Sequence, residues 1–325
     1  MRVRRLSYET EYALGDAVPR QLKPALRRGR DLMRGFWPRP VADYRLAHWP
    51  RDPQLFSEKV QYRVAFDRRP HLTLFADKAA VRDYVAERAG SHLLTGCHGV
   101  FERACDVPWH DLPREYAVKA THGSGGIVLV ADFADPGNRL PSSVRGVGWD
   151  RYTVRPEYAG HQQISAIADK WMTLNYEYGT GRLPEFAYRD VPPRILVEDL
   201  LEDSRGRIAS DWKCFVFDGV LRIVTVESDR YGDHRQEVFD RDGTRLGRFL
   251  SDPPDELTPL PGNFDELVAV AEALGRGIDF VRVDLYDVDG ERLVFGELTN
   301  YPGAGRQTFP EDWDRLLGDW WTLAV

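Results

Sequence analysis

The chain has 325 residues, 42% of them hydrophobic and 29% charged, with a net charge of −7. That length and balance describe an ordinary globular protein that can bury a sizeable core over two domains or subdomains. The negative charge argues against nonspecific nucleic-acid binding as the main task. No apolar run approaches the ~20 residues of a membrane-spanning helix, and the leading Met1-Arg2-Val3-Arg4-Arg5-Leu6 lacks the apolar stretch of a secretory signal. The three cysteines, Cys97, Cys105 and Cys214, are odd in number. Cys97-His98 with Cys105 and His110 lacks the paired short spacing of a zinc site, so these read as thiols of a reducing cytoplasm.

Charge is uneven along the chain. Residues 1–60 carry 13 Lys/Arg against 7 Asp/Glu, a balance of +6, and the remainder carries 31 against 44, a balance of −13. Arg20, Lys23, Arg27, Arg28, Arg30 and Arg34 crowd one stretch before Trp37-Pro38. Residues 1–60 read as a short helical and irregular extension. Its basic face is either simply solvated or docks to an acidic partner, an anionic surface or an anionic polymer.

Beyond it, Asp77–Ala89 has Ala80, Val81, Tyr84, Val85 and Arg88 at helical spacing, with Asp77 as cap and Gly90 as stop. Glu115–Lys119 predicts a short strand and Ile127–Val130 another. Between them the run Thr121-His122-Gly123-Ser124-Gly125-Gly126 forms a hairpin tip. Glycines let backbone N–H groups approach a phosphate, and Lys119 projects toward whatever the loop covers. A plain flexible turn with a surface lysine fits the same residues, and His122 alone reads as a loop hydrogen-bonding group. Residues 133–149 are a Pro/Gly/Ser-rich loop, residues 160–178 are helical at first and strand-like over Thr173–Tyr178, and Ile195–Val197 is a buried strand.

Two hairpins dominate the C-terminal half. Trp212–Phe217 and Val220–Val226 flank Asp218-Gly219, and Val281–Val288 and Arg292–Leu298 flank Asp289-Gly290, with a helix over Asn263–Leu274 between them. Hairpins demand antiparallel pairing, so the fold class is α+β. Period two puts Asp211, Lys213 and Phe215 on one face and Trp212, Cys214 and Val216 on the other. The same rule puts Arg282 and Asp284 on one face, while Glu297 lies at comparable depth on the facing strand. Two carboxylates in apolar strands need a compensating cation. Mg²⁺ bound to nucleotide phosphates would serve, and an Arg282–Glu297 ion pair would account for the same residues.

Taken in order, these features resemble the ATP-grasp arrangement: Asp77-Lys78, Lys119 with its glycine loop, the acidic segment Ile195–Leu201, Asp211-x-Lys213, Arg282-x-Asp284, and Glu297 before Pro302-Gly303. The strings KATHGSGG, DWKCFVFDG, SDRYGDH, FVRVDLY and GELTNYPGAG are similar to the TupA-like ATP-grasp family, and the likeness covers residues 55–318. It implies two α+β subdomains clasping ATP, over 61–194 with the glycine loop and 195–325 with the metal site. It implies nucleotide contacts from Lys78, Lys119, the His122 to Gly126 loop, the hinge Glu198, Asp199, Leu200 and Leu201, the ribose acid Asp211, and Lys213. Arg282 would steady the transferred phosphoryl group, with Asp284 and Glu297 as magnesium ligands. Many ATP-grasp proteins end this motif in Glu-x-Asn, but here Thr299 takes the third position and Asn300 follows, so Thr299, Asn300 or a water completes the metal site. The stretch before Lys78 is too short for the full N-terminal domain common in the superfamily.

The function implied is ADP-forming ligation of a carboxylate to an amine, on a small-molecule or peptide substrate, in cell-surface polymer or natural-product biosynthesis. A hydroxyl kinase and a nucleotide-binding scaffold are the alternatives. Arg230, His234, Arg235 and Arg306 are the cations available for an anionic substrate, or are surface charges.

Overall fold

The alternating apolar runs assemble into two five-stranded sheets. The computed structural model describes residues 52–178, 184–204, 206, 209–228, 235–251 and 257–324, apart from the side chains of residues 178, 227, 228 and 235. The chain divides into Met1–Trp49, outside the described residues, and Pro50–Val325. The basic extension expected to be helical and irregular therefore lies outside the described residues as far as Arg51.

The first sheet has the order β1-β5-β2-β3-β4, with β1 Cys97–Phe101, β2 Tyr116–Ala120, β3 Ile127–Val130, β4 Arg151–Val154 and β5 Ile195–Asp199. Tyr116, Val118 and Ala120 of β2 and Ile195 and Val197 of β5 pack with Ile164, Ile167, Ala168 and Trp171 of α4 (His161–Met172). Alternation then leaves Ala117, Lys119, Leu196 and Glu198 on the opposite face. All neighbours are antiparallel except β3 and β4, which run parallel. The crossover that a parallel pair needs is the Pro/Gly/Ser-rich loop, which contains a single 3₁₀ turn at Val144–Gly146.

The second sheet has the order β10-β9-β6-β7-β8, with β6 Ser210–Phe217, β7 Val220–Ser228, β8 Arg235–Asp240, β9 Phe280–Val288 and β10 Arg292–Thr299. Both Asp-Gly turns form as expected: Asp218 and Gly219 have φ of 50° and 78°, and Asp289 and Gly290 have 58° and 73°. Positive φ at both central positions is what a tight hairpin needs. Trp212, Cys214 and Val216 of β6 and Val281, Val283 and Leu285 of β9 pack under α5 (Phe264–Gly275). Phe215, Phe217 and Phe280 point the other way, into a core with α1 (Phe56–Phe66), α2 (Pro70–Ala76) and α6 (Glu311–Asp319). The α+β class holds, and among the described residues no helix is long and apolar enough to cross a membrane.

The α1–α6 contact is a polar clasp. Ser57 donates through its backbone N and its Oγ to Asp314, at 2.7 and 2.6 Å, and Lys59 Nζ donates to the carbonyls of Gly318 and Trp321, at 2.9 and 2.7 Å. Arg63, fully buried, donates to Asp279 Oδ1 at 2.6 Å and to the Phe280 carbonyl at 2.7 Å, with its guanidinium 4.4 Å from the Trp321 ring centroid. Burial pushes the Asp279 carboxyl up, yet Arg63 and Arg69 hold it well below the usual range.

Two local expectations change. The helix expected from Asp77 begins at Val81 as α3 (Val81–Arg88). Asp77 Oδ1 instead accepts from the amides of Ala79 and Ala80, at 2.9 and 3.2 Å, closing a turn ahead of it. Thr173–Tyr178 is not a strand but a helix end followed by a 3₁₀ turn at Tyr176–Tyr178. Thr173 Oγ1 bonds back to the Lys170 carbonyl at 2.8 Å and the Asn175 side chain accepts from the Glu177 amide at 2.8 Å. Such local side-chain bonds compete with extended pairing and here displace it.

Candidate active site between the two sheets

The hairpin β2–β3 carries the glycine loop on its tip, as the sequence predicts: Lys119 pairs with Ile127, and the Ala120 amide donates to the Gly126 carbonyl at 2.9 Å. Gly125 and Gly126 have φ of 87° and 62°, where side chains are disfavoured. Lys78 is tied to this loop twice. Its backbone N donates to the Thr121 carbonyl at 3.2 Å, and its Nζ donates to the Gly123 carbonyl. Burial pushes the Lys78 ammonium down to about 8, and Lys119 pushes the same way while Glu297 opposes both.

Lys119 reaches across the sheet to Glu198 Oε1. Glu198 Oε2 also accepts from Thr95 Oγ1 at 2.7 Å and Arg82 Nη1 at 3.2 Å. Burial raises the Glu198 carboxyl, but Lys119, Thr95 and Arg82 together hold it below its ordinary value. β5 runs on to Asp199, so Glu198 is a strand residue occupied with Lys119, and the turn out of the sheet starts at Leu200. A cleft of about 440 Å³ opens there, lined by Thr95, Gly96, Arg114, Asp199, Leu200, Leu201 and Arg292 among others.

The second sheet supplies the facing groups. Lys213 stands opposite Asp284 and Asp211 opposite Tyr286, and Lys213 Nζ donates to Asp211 Oδ2 at 2.6 Å. Arg282 grips Asp284 with two parallel bonds of 2.6 Å and reaches Glu297 Oε1 at 3.1 Å and Thr299 Oγ1 at 3.0 Å. The ion pair weighed for Arg282 and Glu297 is thus present, inside a larger cluster. Strict alternation would have put Glu297 on the same face as Phe295, which lies in the core under α5. A β-bulge at Gly296 prevents this: Phe295 pairs with Leu285, and Glu297 then pairs with Asp284 and Thr299 with Arg282. One extra residue re-aims the side chains that follow it, and the signal was the glycine inside a strand.

These carboxylates outnumber what Arg282 can neutralise. Burial, then Glu297 and Asp211, raise the Asp284 carboxyl to about 7 despite Arg282. The Glu297 side chain is half exposed, and its partial desolvation is outweighed by Arg282 and Lys78, which hold its carboxyl below the ordinary value. A divalent cation fits this donor set. Among the described residues no three His, Cys, Asp or Glu side chains are grouped so as to hold a metal by themselves, and magnesium at nucleotide phosphates takes one or two protein carboxylates.

Other sequence candidates fall elsewhere. His122 is buried, its Nε2 within 3.1 Å of the Trp171 carbonyl, so its ring faces the core and only its backbone can serve a ligand. Asn300 is buried too and donates to the Leu72 carbonyl at 2.7 Å, leaving Thr299 beside the carboxylates. Arg306 is exposed after the Pro302–Gly305 turn. Arg230, His234 and the Arg235 side chain lie outside the described residues. The sequence reading missed Gly296, the Arg82–Thr95 support of Glu198, and Trp149 behind the glycine loop.

A family model described as TupA-like ATPgrasp matches residues 58–322. Solved structures with similar folds include the D-cycloserine synthetase DcsG, at 16% identity over 81% of this chain and 76% of that one, with a TM-score of 0.40. D-alanine–D-alanine ligase from Bacillus anthracis complexed with ATP matches at 14% identity over 71% of this chain and 57% of that one, with a TM-score of 0.38. The ATP-grasp ligase PsnB, in a complex with a phosphomimetic variant of its minimal precursor, Mg and ADP, matches at 9% identity over 77% and 58%, with a TM-score of 0.41. The chain spans only 53 to 58% of the length of PsnB, in two of its complexes, and of the ATP-complexed D-alanine–D-alanine ligase. No curated protein matches it.

Proposed function

The chain belongs to the TupA-like ATP-grasp family, and from that premise we propose that it is an ADP-forming ligase joining a carboxylate to an amine. The observation that carries this is the meeting of Lys78, Lys119, Lys213 and Arg282 with Asp284 and Glu297 on the facing sides of two sheets. The first sheet with α4 forms one jaw, and the second sheet with the helices packed on it forms the other, with the chain from Leu200 as hinge against adenine.

The cations gather at the phosphate end of the nucleotide. A substrate carboxylate oxygen attacks the γ-phosphorus, the bond to the β-phosphate oxygen breaks, and ADP leaves. The amine nitrogen then attacks the acyl carbon of the acyl phosphate, the carbon–oxygen bond to phosphate breaks, orthophosphate leaves, and the amine gives up a proton as the amide forms. Lys78 and Lys119 hold phosphate oxygens, Lys213 and Asp211 orient the ribose–phosphate end, and Arg282 neutralises charge as it spreads over the transferred group. Asp284 and Glu297 would hold magnesium, which supplies further charge neutralisation on the phosphates. The carboxylate and amine belong to a small molecule or peptide in cell-surface polymer or natural-product assembly.

The product chemistry tests this. Incubation with substrate is expected to give ADP and orthophosphate in equal amounts, and hydroxylamine in place of the amine is expected to yield a hydroxamate. AMP with pyrophosphate would overturn the ligase mechanism, and ADP with a stable phosphorylated alcohol would make the protein a kinase.

A further inference from the structure

The glycines at 123, 125 and 126 have a second physical reason to be glycine, which is Trp149. A Cβ on Gly123 would stand 2.4 Å from the indole Cζ3, and a Cβ on Gly125 would stand 2.2 Å from the Trp149 carbonyl oxygen. A Cβ on Gly126 would stand 3.1 Å from indole Cε3. The loop thus lies directly on the indole and its backbone. The His122 ring meets the same indole edge-on, with centroids 5.1 Å apart.

Trp149 is itself held from behind. Its ring meets Tyr176 edge-on at 5.3 Å, and the carbonyl of the preceding Gly148 accepts from Trp171 Nε1 at 3.0 Å. Trp171 and Tyr176 are both buried. On the loop's other side, Lys78 Nζ donates to the Gly123 carbonyl. Backbone bonds fix the loop's two ends, Thr121 N to the Arg194 carbonyl at 3.0 Å and Ile127 N to the Asp150 carbonyl at 3.2 Å. The indole supports the stretch between them.

We propose that Trp149 is a positioning residue whose indole seats the glycine loop and so sets how tightly the chain holds the phosphate end of ATP. This rests on the reading that residues 123–126 cover nucleotide phosphates. A tryptophan that only filled the core would affect stability and every ligand alike. A seat under the loop affects ATP and spares adenosine, which has no phosphate for the loop to touch.

Equilibrium titration of the full chain with Mg-ATP and with adenosine separates these. Trp149→Ala is expected to weaken Mg-ATP about tenfold and adenosine less than about twofold, with Trp149→Phe restoring most of the loss. Gly123→Ala, which drives a methyl into the indole, is expected to show the same bias toward ATP. The double variant should be no worse than either single change, because removing the indole makes room for the methyl. Proportional losses for ATP and adenosine, or single effects that simply add, would overturn the proposal. If Trp149→Ala fails to fold, Gly123→Ala and Trp149→Phe decide by the same ATP-to-adenosine ratio. A wild-type chain that binds no Mg-ATP would overturn the nucleotide reading itself, and the seat with it.

Discussion

The candidate site groups of the two jaws carry opposite charge imbalances. On the first, Lys78, Lys119 and Arg82 surround one carboxylate, Glu198. On the second, Asp211, Asp284 and Glu297 face two cations, Lys213 and Arg282. Under the proposed function, a polyphosphate would satisfy the first surplus and a divalent cation the second. The comparison also separates how rigidly each is built. The second jaw's groups are fixed by strand register, whereas Lys78 depends on a loop carbonyl.

The strongest way to break that comparison is to erase the acidic surplus. Asp284→Asn and Glu297→Gln should each lower kcat for ADP formation by about a thousandfold, while circular dichroism stays that of the wild type. Near-normal turnover in both would end the metal assignment. A smaller loss should follow Gly296→Ala, which leaves every charge in place. Its Cβ would meet the Tyr286 ring at 2.9 Å and the Asp284 carbonyl at 3.0 Å, disturbing the bulge that aims Glu297. Turnover should fall about tenfold, and added Mg²⁺ should recover part of it by mass action. Recovery would show that the lesion lies in cation affinity, and a magnesium-independent loss would detach the bulge from the metal site.

The smallest effect belongs to the first jaw. With its ammonium pushed down to about 8, Lys78 is about half protonated near pH 8 and mostly neutral above it in the ligand-free protein. Phosphate binding favours the charged form, so Mg-ATP affinity should fall a few-fold from pH 8 to pH 9. Lys78→Arg, charged throughout that range, should flatten the profile. The folding contribution has the matching sign. A lysine depressed below its unfolded value destabilises the fold while charged, and the penalty is relieved as pH rises from about 8 toward the ordinary lysine value.

Much of the frame was legible because its signals are local. The Asp218-Gly219 and Asp289-Gly290 turns, the alternation of β6, and the glycine run between β2 and β3 each follow from a few adjacent residues. What escaped depends on distant partners. Gly296 marks an interruption in its strand, but which side chains the bulge re-aims shows only once β9 supplies the register. Trp149 looks like a loop residue until the glycines of another loop come to rest on it. The parallel β3–β4 pair leaves no hairpin mark, and Thr173–Tyr178 is β-prone by composition yet is taken by Asn175 and Thr173 side-chain bonds. Glu198 has its hinge role from the family resemblance, through backbone groups, and the side-chain partners that hold it, Lys119, Thr95 and Arg82, are remote in sequence.

The clasp between α1 and α6 sets the order of events during synthesis. Ser57 finds Asp314 only after 257 further positions have been made, and Arg63 waits for Asp279 across 216. Contacts so remote in sequence form late. Until β9 and then α6 emerge, α1 lacks its acceptors Asp279 and Asp314 and the aromatic floor of Phe280 and Trp321. The nascent chain would therefore present Phe56, Val60 and Val64 as a bare apolar strip, which is the kind of surface chaperones shield. The first helix among the described residues is thus one of the last pieces to find its place.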